Sequence, residues 1–254
     1  MTEAAVFRIL LGLSFIIAAG TFITLFFVSA PYGRHIRRGW GPPLPNWLGW
    51  LLMEAVSAIG MLVMFVLGDT PKTAALIVFL LMWETHYLQR SFVYPFLLRD
   101  GQKKMPLAIP LIAAGFNLGN TYLNGRYLFH FAGERYAADW LLEPRFMAGA
   151  ALFLVGFGLN LWADNTLRGL RHPGETGYKI PYGGLYRYIS CPNYFGEIIE
   201  WIGWALATWS LPGLAFAVWT IANLAPRAWS HHQWYIKRFS EYPRERKALI
   251  PGVW

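Results

Sequence analysis

The stretch NLWADNTLRGLRHPGETGYKIPYGGLYRYISCPNYFGEIIEW, Asn160 to Trp201, decides how the rest of the chain is read. It starts inside one apolar helical pattern and ends inside another, with a connection rich in Gly, Pro, Tyr and Arg between them. Asn160, Asp164, Arg168 and Arg171 follow at steps of four, four and three, which puts them on one helix face. Asn193, Glu197 and Glu200 repeat that spacing beyond the connection. An unpaired polar group in hydrocarbon costs several kcal/mol, so two such faces on membrane-type helices mark a site rather than packing alone.

Composition sets the solvent. Of 254 residues 56% are hydrophobic and only 14% charged, against roughly a quarter charged in a soluble domain. Mean hydropathy is +0.34. The chain reads as an all-α integral membrane protein whose lipid partner is the bilayer. Thirteen Trp and thirteen Tyr suit interfacial belts. The first apolar run, Phe7–Ser29, is too long for a signal-peptide core and lacks a basic leader. A lone Cys191 excludes an intrachain disulfide or a multi-cysteine metal site. Six dispersed histidines form no HExxH pair, so no metal is expected.

Spans of about 20 residues cross a bilayer. Seven are expected: Phe7–Ser29, Trp47–Leu67, Thr73–Leu98, Leu107–Ala132, Phe146–Leu167, Phe195–Ser210 and Leu214–Tyr235. The sixth is the shortest and follows Pro192. The odd connections are basic. They carry Arg34, Arg37 and Arg38, then Arg99, Lys103 and Lys104 against Asp100, then Arg168, Arg171, Lys179 and Arg187. The tail adds Lys237, Arg238, Arg244, Arg246 and Lys247. This asymmetry predicts odd connections and C-terminus in the cytoplasm and the N-terminus outside. It also accounts for the net charge of +8 without nucleic acid.

Polar stripes run through the remaining spans. Trp83, Tyr87, Arg90 and Tyr94 share a face of span three, with Glu84 and His86 beside it. Glu54 is the one acid of span two, and it reads either as a site residue or as hydrogen-bonded glue between helices. Asn117, Asn120 and Asn124 line span four, a spacing that also suits helix bridging. GFGLN at Gly156 to Asn160 lacks the third glycine and the preceding strand of a dinucleotide fingerprint, so its glycines read as packing contacts. Span seven ends in Arg227, His231 and Tyr235 at steps of four. Spans five to seven thus bring polar faces to the cytoplasmic side beneath a basic loop. Arginines there suit phosphate, and the amides and carboxylates suit a carboxamide and ribose hydroxyls. This set fits NADPH bound without a Rossmann fold, while leaving other adenosyl ligands open.

The chain resembles the steroid 5α-reductase family, in the manner of a bacterial-type relative of the human type 1 and type 2 enzymes. The resemblance runs from Tyr32-Gly33-Arg34-His35 to the C-terminus. It is carried by RHPGETGYKIPYGGL at Arg171 to Leu185, NYFGEIIEWIGWALATWSLP at Asn193 to Pro212, and the ending EYPRERKALIP. Weaker pieces are Glu54, HYLQRSFVYPFLLR at His86 to Arg99, and the AADW and PRF segments. The resemblance implies seven membrane helices and reduction of the Δ4 bond of a 3-oxo-Δ4 steroid with NADPH. It implies that Glu54 and Tyr87 engage the ketone. Arg90, Arg99, Asn160, Asp164, Arg171, Tyr178, Lys179, Asn193, Glu197 and Tyr235 match cofactor-contact positions, and the stripes add Arg168 and His231. Met53 replaces a Gln of the human enzymes, and Lys179 keeps the charge but not the fork of an Arg.

One domain, 1–254, is expected, with 1–132 as substrate-cavity half and 133–254 as NADPH-binding half. A monomer is expected. The membrane would be a bacterial inner membrane or, in a eukaryote, the endoplasmic reticulum. The competing readings are a polyprenal or enoyl-thioester reductase, an S-adenosylmethionine-dependent methyltransferase and a non-enzymatic sterol-binding scaffold.

Overall fold

The computed structural model describes residues 1–99, 103–172, 175 and 177–254; Asp100 and the motif residues Pro173, Gly174 and Thr176 lie outside these. The fold is all-helical apart from one short ladder. Helix α1 spans Glu3–Phe27 and α2 Asn46–Leu67. Helix α3, Ala74–Leu88, continues through a π-helical turn, Gln89–Val93, into α4, Tyr94–Leu97. Helix α5, Ala108–Arg126, also ends in a π turn, Tyr127–Phe131. Then come α6, Pro144–Gly169, α7, Pro192–Thr208, and α8, Leu211–Arg238. With α3 and α4 counted as one rod, seven rods stand among the described residues. Among the described residues three helices, α1, α2 and α6, are long and apolar enough to cross a membrane. The chain is an integral membrane protein.

Local chemistry explains the boundaries. Thr2 and Thr73 cap α1 and α3 by accepting the Ala5 and Leu76 amides, and Ser210 caps α8 by accepting Gly213 N–H. Pro192 does not merely precede the sixth span: it opens α7 in the first turn, where no amide donor is needed. Trp209, at φ 46°, reverses the chain between α7 and α8. Pro95 sits just past the π turn that carries Arg90; a proline cannot donate to the preceding turn, and the wider turn absorbs the break.

The connections sort onto two faces. The first and third meet in an antiparallel ladder, β1 (Pro43–Pro45) on β2 (Lys104–Pro106). The third touches the fifth through Arg99 and Arg171, and the fifth holds the tail through Ser190 and Lys247. On the opposite face Glu3 clamps Arg126 at 2.6 Å, Asp69 meets His130, and Arg135 donates to the Trp209 carbonyl.

The core is aromatic. Trp83, Phe79, Phe153, Trp201, Trp204 and Phe216 form one cluster. The indole N–H groups find partners: Trp83 donates to the Ser57 carbonyl and Trp204 to the Asn124 side chain. Two asparagines of α5 bridge helices: Asn117 donates to the Met53 carbonyl at 2.6 Å and to Glu54 at 3.3 Å, and Asn124 takes the Trp204 bond. Helices α6 and α7 form the tightest pair, along a seam of Gly149, Gly156, Gly196 and Gly203, where a Cβ on any one would press into the other helix's backbone. Gly156 of GFGLN is a packing residue, while Gly158 faces open space. Helix α1 lies along α8 and closes the bundle.

Candidate active site

Three polar layers rise through this bundle. The innermost holds Glu54 of α2 and Tyr87 of α3. At 1.5 Å per residue, Glu54 lies roughly 12 Å along α2 from its start at the ladder face. Tyr87 is 2% exposed and packs against Trp83 and Trp201; Glu54 is half-buried, lies within electrostatic range of Tyr87 and Arg90, and accepts from Asn117.

The middle layer is a continuous chain of bonds. Arg90, on the π turn, donates to Asp164 of α6 at 2.8 Å. The guanidinium also lies over the Trp50 and Tyr94 rings at 4.7 and 4.2 Å. Asn193 of α7 donates to the other Asp164 oxygen at 3.1 Å. Asn160 donates to the Asn193 carbonyl at 3.0 Å and to Glu197 at 3.3 Å. Five predicted residues, Arg90, Asp164, Asn193, Asn160 and Glu197, thus form one network across three rods. The steps of four put each pair on a shared face, and the glycine seam brings those faces within bonding distance.

The outer layer is cationic and aromatic. Arg34 lies over Tyr178, Trp234 and Tyr235 at 4.7 to 4.9 Å. Arg171 also faces Tyr178, and Arg171 and Arg99 each donate to the other's carbonyl. A cavity of about 150 Å³ opens here, lined by Tyr32, Arg34, His35, Tyr178, Arg227 and His231 among others. His231 stacks on His35 at 5.5 Å. Burial pushes the His35 imidazole below its ordinary value of 6.5, helped by Arg34 and Arg37. Arg34 Nη1, His35 Nε2 and Arg168 Nη1 are buried with no hydrogen-bond partner among the described residues. Buried donors left unpaired are costly, so these point to a group they would bind. Lys179 stands apart: it is exposed and paired with Glu175 at 2.6 Å.

Some contributors escaped the sequence reading. Arg34 reads in the sequence as a loop charge and as part of the segment where the resemblance begins, not as a site residue; Gly33 beside it holds φ +59°. Arg227, read as part of the last stripe, donates to the Tyr194 hydroxyl at 2.9 Å. His86 and Glu200 pair at 2.8 Å across α3 and α7. Glu200 lies on a quoted face and His86 beside one, but pairing between stripes needs helix order, which spacing does not supply.

An apolar helical bundle with buried, bonded polar residues between its rods and arginines at one end has the make-up of a membrane-embedded enzyme. Comparison with known proteins narrows the class. A family model described as 3-oxo-5-alpha-steroid 4-dehydrogenase matches residues 103–254. The chain is 45% identical over 234 residues to 3-oxo-5-alpha-steroid 4-dehydrogenase 1 of Bos taurus, covering 91% of this chain and 90% of that one. It is 42% identical to the steroid 5-alpha-reductase DET2 of Gossypium hirsutum over 100% of this chain and 99% of that one. With the Homo sapiens 3-oxo-5-alpha-steroid 4-dehydrogenase 1 it shares 43% identity, covering 88% of this chain and 86% of that protein. The chain belongs to the 3-oxo-5-alpha-steroid 4-dehydrogenase family, a family of oxidoreductases.

Proposed function

We propose that this protein reduces the Δ4 double bond of a 3-oxo-Δ4 steroid, with NADPH as reductant, in a bundle that crosses the membrane seven times. The N-terminus lies outside and the C-terminus in the cytoplasm. Support for that topology comes from the sorting of connections: the basic odd loops and the tail converge on one face. One observation carries the functional reading: Glu54 and Tyr87 sit beneath a polar network that leads to a mouth of incompletely paired arginines.

The donor set suits a nicotinamide dinucleotide phosphate. Arg34, Arg168, Arg171 and Arg99 would hold its anionic groups, with Tyr178, His231 and Tyr235 beside them. Asn160, Asp164, Asn193, Glu197 and Arg90 would hold the uncharged polar end. Lys179 contributes charge to the mouth from its exposed position. When bound, the dinucleotide supplies a hydride to the β carbon of the enone.

Negative charge would then develop on the ketone oxygen, and the enolate would take a proton at its α carbon from solvent, so that hydride and proton together saturate the Δ4 bond. Tyr87 donates its hydroxyl to that oxygen, and Glu54, on the facing helix, shares in polarising it. The aromatic packing around Tyr87 excludes water and strengthens both interactions. The steroid occupies the half built from 1–132 and arrives sideways from lipid, while the dinucleotide uses 133–254 from the cytoplasm. The test is NADPH oxidation by the purified monomer in lipid nanodiscs with testosterone, a polyprenal or an enoyl thioester. Steroid-dependent oxidation is expected; turnover confined to the polyprenal or thioester would reassign the substrate, and none with any would remove the reading.

A further inference from the structure

Behind the ketone-facing pair lies a buried couple that the mechanism does not use. His86 Nδ1 and Glu200 Oε1 share a hydrogen bond of 2.8 Å between α3 and α7, with side chains 4% and 0% exposed. The other Glu200 oxygen has no partner among the described residues. Each member is the chain neighbour of an aromatic residue: Tyr87 follows His86, and Trp201 follows Glu200. Neighbours on a helix diverge by about 100°, so both members of one dipeptide rarely meet both members of another. Here the two dipeptides mesh. The His86 ring meets Trp201 at 4.7 Å and the Tyr87 ring edge-on at 5.0 Å, and Tyr87 meets Trp201 at 5.9 Å.

Desolvating such a pair is expensive, and apolar side chains of similar volume often stabilise a bundle as well or better. What the hydrogen bond adds over apolar contact is direction. The His86 imidazole is held from behind by Glu200 while its edge limits how far the Tyr87 ring can swing. We propose that His86, fixed by Glu200, is a positioning residue that keeps the Tyr87 hydroxyl aimed at the ketone. This rests on Tyr87 being the donor described above. Misplacing a reacting group by 1 Å costs on the order of 100-fold in rate. A residue acting only through the Tyr87 hydroxyl has nothing left to aim once that hydroxyl is removed.

The experiment is a double-mutant cycle in nanodiscs with testosterone, using His86→Phe, Tyr87→Phe and both together. It reads kcat, KM for steroid, and NADPH affinity from tryptophan quenching. His86→Phe is expected to lower kcat about 10- to 100-fold in the wild-type background and less than about 2-fold in the Tyr87→Phe background. NADPH affinity is expected to stay within about 3-fold, because the hydrogen bond of His86 goes to Glu200 and not to a residue assigned to the dinucleotide. Glu200→Gln, which keeps an oxygen able to accept from the imidazole, should retain more turnover than Glu200→Leu. If His86→Phe does not fold, His86→Asn and Glu200→Leu carry the same cycle. An equal loss in both backgrounds, or no loss in either, overturns the proposal while leaving Tyr87 in place. Full turnover in Tyr87→Phe alone would instead remove Tyr87, and the positioning role with it.

Discussion

Replacing Gly156 with alanine tests how the site is assembled. A Cβ at Gly156 would lie 2.6 Å from the Gly196 carbonyl oxygen and 2.7 Å from Glu200 Cα, both backbone atoms of α7 that no side-chain rotation can move aside. Restoring ordinary contact requires the helices to part by roughly 1 Å. Such overpacking costs about 1–3 kcal/mol. Alanine also favours the helix by about 1 kcal/mol over glycine. Gly158, two residues on with nothing within 4 Å, supplies the control: Gly158→Ala gains the propensity and meets no clash. The difference between the two variants is therefore the overpacking term alone. At about 2–4 °C per kcal/mol for a chain of this size, Gly156→Ala should melt several degrees below Gly158→Ala in detergent. The damage should also reach the site, since Asn160 lies one turn further and its 3.0 Å bond to the Asn193 carbonyl would open. Thermal scans and NADPH titrations of both variants check this. Equal melting temperatures and equal affinities would refute the close α6–α7 approach as the scaffold of the network.

Other perturbations separate the layers. Tyr87→Phe should keep NADPH affinity and lose about 100- to 1000-fold in kcat, measured by steroid-dependent NADPH oxidation; wild-type turnover would take Tyr87 out of the chemistry. Asp164→Ala strands Arg90 in a site where both side chains are under 10% exposed, and should destabilise by about 3–5 kcal/mol. The double variant Arg90→Met, Asp164→Leu should recover part of that loss, as seen in melting temperature. His35 is held neutral by burial and by Arg34 and Arg37, so its folded state takes up fewer protons than the unfolded chain. Its stabilising contribution is present above pH 6.5 and falls away as the pH drops below it. Melting of His35→Gln should accordingly depend less on pH between 5 and 8 than the wild type, and parallel profiles would contradict this.

Much of the architecture was legible because membrane helices must carry their own hydrogen bonds and bury their polar faces. Runs of apolar residues located the helices to within a few residues, and steps of three and four placed Asn160 with Asp164 and Asn193 with Glu197. What spacing could not supply was which stripe meets which. Arg90 sits inside the π turn before Pro95, where the regular period is broken, and its bond to Asp164 joins two rods whose order spacing does not give. Arg34 was unreadable for a different reason. Its role comes from a loop folding over Tyr178 and Tyr235, residues more than a hundred positions away, and loop charge alone looks the same whether it serves topology or a ligand. Lys179, matched by motif position to a cofactor contact, is exposed and pairs with Glu175 in the structure.

The polar layers change in charge from the bundle interior to the basic end, and on the proposed function this should give the two ligands different sensitivities. The inner layers gather Glu54, Asp164, Glu197 and Glu200 around one guanidinium, Arg90, whereas the mouth gathers Arg34, Arg99, Arg168 and Arg171. On the proposed function, a long ligand with an anionic end would be oriented, anion outward, before any specific contact forms. Arg99 is exposed and Arg168 and Arg171 only partly buried, so salt reaches them; at about 0.1 M the screening length is already near 10 Å. Raising KCl from about 50 to about 500 mM should weaken NADPH binding several-fold. The steroid KM should not move, because Tyr87, proposed to face the ketone, is buried against the Trp83 and Trp201 rings. Arg171→Ala should lower NADPH affinity at low salt and flatten this dependence. Isothermal or fluorescence titrations at several salt concentrations decide the matter. An affinity indifferent both to salt and to Arg171 would mean that the basic mouth serves only to orient the protein in its membrane.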